Sequence, residues 1–292
     1  MRFPHSDGDS WRKPETACEP GLCAPGDNAI VTSMGSILIA TSGYSYEDWR
    51  GAFYPEGLPK EEFLRYYALF FPFVELNFSY YAMPSARNLA AMAGRTPEGF
   101  LFSIKAHKSM THEVGPGWRE DAAAFARAAG ALADAGRLAA VLVQLPYSFH
   151  YEPDNRRYLS ELIKALAPLP LAVEFRNAEW GGERVLEELD KRGAAIVAVD
   201  RPELPGLPAP SEAVTGGLGY LRFHGRNEEN WWSGDNVSRY DYLYSAEELE
   251  ACAPRVRRMA GKAKTLLVAF NNHAKGKAVR NAGELKAILF PT

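Results

Sequence analysis

The chain has few cysteines and no long apolar run. Its three cysteines are an odd number and form no Cys-x-x-Cys pair, so neither a disulfide framework nor the usual spacing of a zinc site is predicted. No run of about 18 apolar residues is present, and the N-terminus lacks the apolar centre of a signal peptide. These absences predict a cytoplasmic protein that does not associate with membranes.

The chain also lacks a strong charge of either sign. The formal net charge is −3, so composition gives no global attraction to nucleic acid or anionic membranes, and any basic patch has to be local. Hydrophobic residues make up 47% of the sequence, which is enough apolar material for a large core. Composition therefore predicts a globular protein and indicates neither a cofactor nor an oligomeric state.

Residues 1–33 lack a periodic apolar pattern and are rich in Pro, Gly, Ser, Asp and Glu. Such a segment buries too little apolar surface to offset the entropy lost on ordering, so a disordered N-terminal extension is predicted. Met34 stands directly before the first predicted strand, which raises the hypothesis that the native chain starts there. Residues 34–292 are predicted to form one domain.

From residue 37 onward, short apolar strands alternate with helical patterns, as in successive βαβ units. Helical segments end before Gly136 and Gly193, and a capping box at Ser245 opens another helix. Four prolines between residues 201 and 218 predict that a loop replaces the sixth helix. The eight predicted strands are Ile37 to Tyr44, Val74 to Tyr81, Leu101 to His107, Ala139 to Pro146, Leu171 to Asn177, Ala194 to Asp200, Gly219 to Gly225 and Thr265 to Asn272.

Eight alternating units without a mid-chain linker are typical of a single-domain TIM-like (β/α)8 barrel of the α/β class. A doubly wound open sheet is the alternative, but the first strand-to-helix turn, Thr41 to Tyr44, lacks the Gly-x-Gly-x-x-Gly phosphate-binding pattern. We therefore expect a barrel with its functional pocket at the carboxyl ends of the strands, where this fold places active sites.

Polar side chains alternate with apolar ones near those strand ends. Because alternate side chains of a strand point to opposite faces, Lys105 and His107 share one face of the third strand, and Glu174 and Arg176 share one face of the fifth. The apolar face must pack on the outer helices, so the polar face is expected to line the interior. The residues expected in this pocket, from strand ends or adjoining loops, are Glu75, Asn77, Lys105, His107, His112, Gln144, Glu174, Arg176, Trp180, Asp200, Arg222, His224, Asn271 and Asn272.

Interior charges could simply pair with each other. Glu174 with Arg222, or Glu75 with Lys105, would form ion pairs that shape the fold without catalysis. The whole set is harder to explain in this way, because burying so many polar groups is costly unless they are paired or solvated. A polar pocket is the simpler interpretation.

Three chemistries could use such a pocket. Glu174, Asp200 and His224, with Glu75, could bind a divalent metal, although the neighbouring arginines would repel a cation, and no metal ligand is assigned. Lys105 could form a Schiff base if its pKa were lowered, whereas pairing with Glu75 would keep it protonated.

Anion recognition uses the most residues, because Lys, Arg and His outnumber Asp and Glu in the set. We therefore expect an enzyme acting on an anionic, phosphorylated substrate. Its candidate catalytic groups are Lys105, His224, Glu174 and Glu75, and the remaining pocket residues are expected to bind substrate. The alternatives are a non-catalytic binding protein for nucleic acid or a sugar phosphate, and a metal-dependent phosphodiester hydrolase.

Nine segments of the chain resemble, in order, the motifs of the domain-of-unknown-function 72 (YecE-like) family. The resemblance spans residues 37–290, implies a TIM-barrel-like fold and implies no established activity. It also implies that the pocket includes Asn272 and most of the residues found by strand alternation, and it leaves the first 33 residues outside the family pattern. The segments are Thr41-Ser42-Gly43-Tyr44, Tyr46-Glu47-Asp48-Trp49, Val74-Glu75-Leu76-Asn77, Phe102-Ser103-Ile104-Lys105, Thr111-His112, Gln144-Leu145-Pro146, Glu174-Phe175-Arg176, Arg222-Phe223-His224-Gly225 and Phe270-Asn271-Asn272.

Overall fold

The structure, a computed structural model, describes residues 30–32, 35–235 and 237–291. Eight parallel strands follow one another around a barrel, in the order β2-β9-β8-β7-β6-β5-β4-β3. The predicted TIM-like (β/α)8 barrel is confirmed. The strands are β2 (Gly35–Thr41), β3 (Phe73–Leu76), β4 (Leu101–Lys105), β5 (Leu138–Leu145), β6 (Leu171–Phe175), β7 (Ala195–Asp200), β8 (Leu218–Phe223) and β9 (Thr265–Phe270).

The barrel closes at a short seam between β2 and β3. Ser42 forms a parallel bridge with Glu75, and the backbone N–H of Gly43 donates to the Glu75 carbonyl oxygen at 2.7 Å. Gly43 has a φ of +82°, a conformation that glycine adopts without a steric penalty. The first and last strands of the series are thus joined by the residues that follow β2.

Helices connect the strands on the outside of the barrel. The glycine and capping signals are confirmed. Gly136 and Gly193 each follow the end of a helix and have a positive φ, and Ser245 forms the capping box of another helix. The helices are α1 (Phe63–Tyr67), α2 (Phe78–Tyr81), α3 (Ala86–Ala93), α4 (Trp118–Asp134), α5 (Pro153–Leu166), α6 (Glu183–Lys191), α7 (Ala246–Ala260) and α8 (Lys277–Leu289). None of the helices in the described ranges is long and apolar enough to span a membrane.

The connection from β7 to β8 contains no helix among its described residues, as the prolines predict. The second predicted strand is too long, because β3 ends at Leu76 and Phe78–Tyr81 form the helical turn α2. Ser79 Oγ donates to the Lys105 carbonyl oxygen at 2.6 Å and anchors this turn to the end of β4. Tertiary contact therefore overrides the strand preference of the aromatic residues here.

A short strand precedes the barrel. Ile30–Thr32 form β1, which pairs antiparallel with β2, although these residues fall inside the extension expected to be disordered. Residues 1–29, 33 and 34, on which the rest of that prediction and the Met34 hypothesis depend, lie outside the described residues.

Candidate functional site

A cavity of about 560 Å³ opens at the carboxyl ends of the barrel strands. Its volume lies within the range of about 300 to 1,000 Å³ that is usual for small-molecule sites. The lining combines cations, amides and aromatic rings: Tyr46, Asn77, Tyr80, Tyr81, Lys105, His112, Gln144, Pro146, Tyr147, Arg176, Leu207, Arg222, Trp231, Trp232, Arg239, Tyr240, Asn271 and His273. This cavity therefore lies at the end of the barrel where the pocket was expected.

The floor of the cavity is a buried ion cluster centred on Arg222. Its guanidinium donates to Glu75 through Nε at 2.8 Å and Nη2 at 2.6 Å, and to Glu174 Oε2 through Nη1 at 2.5 Å. Arg222 is 2% exposed, and both carboxylates are completely buried. The predicted Glu174–Arg222 pair is thus formed, whereas Glu75 pairs with Arg222 and not with Lys105.

Two hydroxyl groups also form hydrogen bonds with the carboxylate oxygens of Glu75. Ser42 Oγ donates to Oε1, and Tyr220 OH lies 2.7 Å from Oε2 and 2.9 Å from Ser103 Oγ. Burial alone would raise the pKa of Glu75, but the Arg222 guanidinium and these hydrogen bonds lower it below its ordinary value. Glu75 is therefore a fixed anion that holds Arg222 in place.

Glu174 joins Arg222 to two further groups. Arg176 Nε donates to Glu174 Oε1 at 2.6 Å, and His224 Nε2 lies 3.3 Å from the same oxygen. Asn271 Nδ2 donates to His224 Nδ1 at 3.1 Å, which places the imidazole proton on Nε2, facing Glu174. Burial first, and then the charge of Arg176, lower the pKa of His224 to about 3, so this histidine is neutral at pH 7.

Lys105 projects into the cavity above the floor. Its Nζ donates to Gln144 Oε1 at 2.9 Å and lies 4.4 Å from the centre of the Tyr80 ring. Burial, followed by the charges of Arg222 and Arg176, lowers the pKa of Lys105 to about 7. His112 packs against the same Tyr80 ring, with ring centres 5.0 Å apart. Burial lowers the pKa of His112 to about 4.

The long connection from β8 to α7 supplies residues that strand alternation did not identify. Arg239 lines the cavity. Its Nε is buried without a hydrogen-bond partner among the described residues, while its Nη2 donates to the Gly234 carbonyl oxygen at 3.2 Å. Tyr240 OH accepts from Arg176 Nη2 at 3.2 Å. Burial alone would raise the pKa of Tyr240, but Arg176 lowers it below the ordinary value.

Aromatic rings form the walls and rim of the cavity. Tyr46 stacks on His273 with ring centres 4.7 Å apart, and Tyr147 meets the Trp232 ring edge to face at 5.0 Å. Trp232 and Tyr81 remain 52% and 63% exposed, which is unusual for rings of this size. The rim therefore presents planar apolar surface above a cationic floor.

A family model described as a protein of unknown function, DUF72, matches residues 38–291. The chain belongs to the DUF72 family. It is 30% identical over 269 residues to the UPF0759 protein YunF of Bacillus subtilis, and the match covers 87% of this chain and 94% of that protein. None of these descriptions names a reaction.

Two solved structures of DUF72 family proteins share the barrel. The protein from Thermotoga maritima is 40% identical with a TM-score of 0.80, and the match covers 87% of this chain and 98% of that one. The protein from Enterococcus faecalis is 28% identical with a TM-score of 0.77, and the match covers 87% and 95% of the two chains. The family predicted from the ordered motifs is confirmed.

Asp200 lies outside the DUF72 barrel's interior, so its predicted inward orientation is wrong. The strand register pairs Val199 with the inward Arg222 and Asp200 with the outward Phe223. Asp200 instead accepts from Arg226 at 2.8 and 2.9 Å and from Tyr244 OH at 2.8 Å. Every residue of β7 before Asp200 is apolar, so alternation gave no signal of its orientation.

Three other predicted residues do not line the cavity. Trp180 is buried against Phe175, with parallel rings 4.5 Å apart, on the outer side of the barrel. Asn272 donates to Asn281 Oδ1 at 2.9 Å and joins β9 to α8. His107 Nδ1 bonds Ser109 Oγ at 2.9 Å in the turn after β4. These residues organise the strand ends around the site.

The remaining members of the expected set divide between two layers. Glu75, Glu174 and His224 lie in the buried cluster beneath the cavity and are not part of its lining. The members that line the cavity are Asn77, Lys105, His112, Gln144, Arg176, Arg222 and Asn271. Of the four candidate catalytic groups, only Lys105 can therefore touch a ligand without rearrangement of the floor.

The proposed metal ligands do not converge on one point. Glu174 and His224 are neighbours, but Asp200 lies on the outer face, and the Glu75 and Glu174 oxygens face the Arg222 guanidinium. In the described residues no group of three or more His, Cys, Asp or Glu side chains has the geometry to hold a metal ion. The donor set at the floor therefore does not suit a divalent cation.

Proposed function

We propose that this DUF72 chain is an enzyme that acts on a small anionic, phosphorylated substrate bound in the strand-end cavity. The observation that supports this proposal is the charge of the lining. Among the described residues that line the cavity, Lys105, Arg176, Arg222 and Arg239 are cationic groups and none is an Asp or a Glu. Such a surface attracts phosphate in spite of the net negative charge of the chain.

The charge balance of the two layers strengthens this proposal. Glu75 and Glu174, directly beneath the cavity, pair with Arg222 and Arg176 of its floor, so these four charges nearly cancel. Arg239 and Lys105 have no carboxylate partner among the described residues. They are therefore the cations left to bind the charge of a ligand.

Catalysis is favoured over passive binding because the lining contains groups suited to proton transfer. The pKa of Lys105 is lowered to about 7 and that of Tyr240 lies below its ordinary value. His112, with a pKa of about 4, is a neutral acceptor at pH 7. Of these groups Lys105 is poised near the working pH, where a general acid or base is most efficient.

Calorimetric titration with inorganic phosphate, glucose 6-phosphate and AMP tests the binding step. Arg239→Gln should weaken binding about 10- to 100-fold, because a charge-assisted hydrogen bond contributes about 1.5 to 3 kcal/mol. Arg87→Gln, at an exposed position of α3, is the matched control and should bind as the unaltered chain does. If none of the three compounds binds, the anion site is refuted; binding followed by assays that find no turnover would refute the enzyme.

A second candidate function is binding of single-stranded nucleic acid, which the exposed rim favours. Tyr81, Tyr147 and Trp232 are 63%, 41% and 52% exposed, and bases stack on such rings. An oligonucleotide should then bind more tightly with each added nucleotide, with strong salt dependence, and Trp232→Ala should weaken it. Equal affinity for AMP and for an oligonucleotide would instead favour a small-molecule site.

A further inference from the structure

We propose that Lys105 is a nucleophile that forms an imine with the carbonyl group of a phosphorylated aldehyde or ketone. This inference rests on the proposed function, because it names the class of anionic substrate and the group that attacks it. It assigns to Lys105 a covalent role that goes beyond electrostatic binding.

The contacts of Lys105 are those of an amine that is available to react. Among the described residues its Nζ has no carboxylate partner; it meets only the Gln144 amide oxygen at 2.9 Å and the face of the Tyr80 ring at 4.4 Å. The carboxylate that would have kept it protonated, Glu75, bonds Arg222 instead. Lys105 also lines the cavity, so a ligand can approach it directly.

The surrounding cations favour the neutral amine. Arg222 and Arg176 lie at the floor of the same cavity, and together with burial they lower the pKa of Lys105 to about 7. A lysine in water has a pKa of about 10.4, so fewer than about one in a thousand such side chains are neutral at pH 7. With its pKa lowered to about 7, Lys105 carries a free lone pair at that pH far more often than an ordinary lysine does.

Imine formation needs only the amine and the carbonyl compound. The Nζ lone pair forms a bond to the carbonyl carbon, and the carbon–oxygen π electrons move to the oxygen, which takes up a proton. The nitrogen loses a proton, the new hydroxyl group takes up a second proton and leaves as water, and the nitrogen lone pair forms the carbon–nitrogen double bond of a protonated imine. Atoms and electrons balance without an oxidant, reductant or cofactor.

Other lining groups suit the remainder of such a substrate. Arg239 lines the cavity and has no carboxylate partner among the described residues, so its guanidinium can donate to a phosphate oxygen. Asn77 also lines the cavity, and its Nδ2 donates to Ser42 Oγ at 2.8 Å. These two side chains place a cation and an amide beside Lys105 in the same cavity.

Reductive trapping tests the covalent step. The full-length chain is incubated at pH 7 with pyridoxal 5′-phosphate or unphosphorylated pyridoxal, reduced with sodium borohydride and analysed by peptide mass spectrometry. We expect Lys105 to be modified at least tenfold faster than the exposed Lys60 and Lys164. The preference for Lys105 over the surface lysines should be at least tenfold greater with the phosphorylated aldehyde than with pyridoxal, and inorganic phosphate should protect Lys105. In Lys105→Arg the rapid phase of labelling should disappear.

The outcomes separate this inference from the proposed function. If Lys105 reacts no faster than the surface lysines while phosphate still binds by calorimetry, the imine is refuted and the anion site stands. If Lys105 reacts rapidly with both aldehydes at equal rates, the amine is nucleophilic but the assignment to phosphorylated substrates is refuted. Arg239→Gln should slow labelling by pyridoxal 5′-phosphate and leave labelling by pyridoxal unchanged; an equal effect on both would also overturn that assignment.

Discussion

The buried cluster and the cavity lining of this barrel use the same residue types in opposite ways. In the cluster, Arg222 is bonded on all sides by Glu75 and Glu174, and all three side chains are almost completely buried. In the lining, Lys105 and Arg239 face open space without a carboxylate among the described residues. Charges that are fully paired hold a structure together, whereas charges left unpaired beside a cavity are available to a ligand.

Removal of Arg222, the central cation of the cluster, should give the largest difference in stability between the cluster and the lining. Arg222→Met leaves Glu75 buried without a counter-charge and Glu174 with only Arg176, which should lower the free energy of unfolding by about 3 to 5 kcal/mol. Arg239→Met removes an arginine from the lining and should cost less than about 1 kcal/mol, because no ion pair is broken. Urea unfolding followed by circular dichroism measures both. Equal losses for the two variants would contradict the distinction.

His224 should make the stability of the cluster sensitive to acid. Its folded pKa of about 3 lies below the unfolded value of about 6.5, so the unfolded chain binds the extra proton. Its contribution to stability is complete above pH 6.5 and is lost as the pH falls toward 3. Between pH 7 and pH 4 the loss is about 3 kcal/mol.

His224→Gln keeps a donor and an acceptor but cannot titrate, so it serves to isolate this effect. The difference in unfolding free energy between pH 7 and pH 4 should shrink by about 3 kcal/mol in the variant. The carboxylates Glu75 and Glu174, whose pKa values are lowered, are present in both chains. Their contribution to the pH dependence of the unfolding free energy therefore cancels in the comparison. An unchanged pH dependence would show that His224 has the same pKa in the folded and unfolded states, and would contradict the lowered value.

The outer ion cluster at Asp200 offers a milder comparison. Asp200 is 8% exposed, but its partner Arg226 has 35% of its side chain exposed and can regain water. Asp200→Asn should therefore lower the free energy of unfolding by about 1 to 2 kcal/mol, which is less than the loss for Arg222→Met. Ligand affinity should not change, since Asp200 is not part of the lining. A loss of ligand binding in this variant would show that Asp200 contributes to the ligand site.

The smallest expected effect concerns the protonation of Lys105 in the lining. Sulfate, which keeps its charge across this range, should bind the protonated form, so its affinity should fall about tenfold as the pH rises from 6 to 8 through the Lys105 pKa of about 7. Lys105→Met should bind sulfate more weakly and without this pH dependence. Persistence of the same slope in the variant would assign the titration to another group.

Strand alternation predicted the interior of the barrel because the polar and apolar faces of most strands differ clearly. Lys105, Gln144 and Arg176, which it placed on the interior, line one cavity in the structure. Alternation reports a face but not a depth, so it could not show that Glu75 and Glu174 lie beneath the lining. It also failed for β7, where both faces are apolar before Asp200.

The loop residues were harder to predict. Arg239 and Trp232 lie in the long connection from β8 to α7, whose described residues form only the short 3-10 turn Ser238–Tyr240, so no strand or α-helix period predicts how the side chains are oriented. The only local signal is the concentration of tryptophan, tyrosine and arginine between residues 226 and 244, in a segment otherwise rich in Asn, Ser, Asp and Glu. Long loops at the carboxyl end of a barrel often carry binding residues, and that rule points to this segment.

The seam at Ser42 and Glu75 makes assembly of the barrel and assembly of the site one event. The same Glu75 that accepts the Gly43 N–H across the closing strands also holds Arg222 from the far side of the barrel. A chain whose β3 has not docked has neither a closed sheet nor a fixed guanidinium beneath the cavity. Ligand affinity therefore reports whether the barrel is closed. Molecules in which β3 has not docked will not bind the ligand, and the ligand will stabilise those in which the barrel is complete.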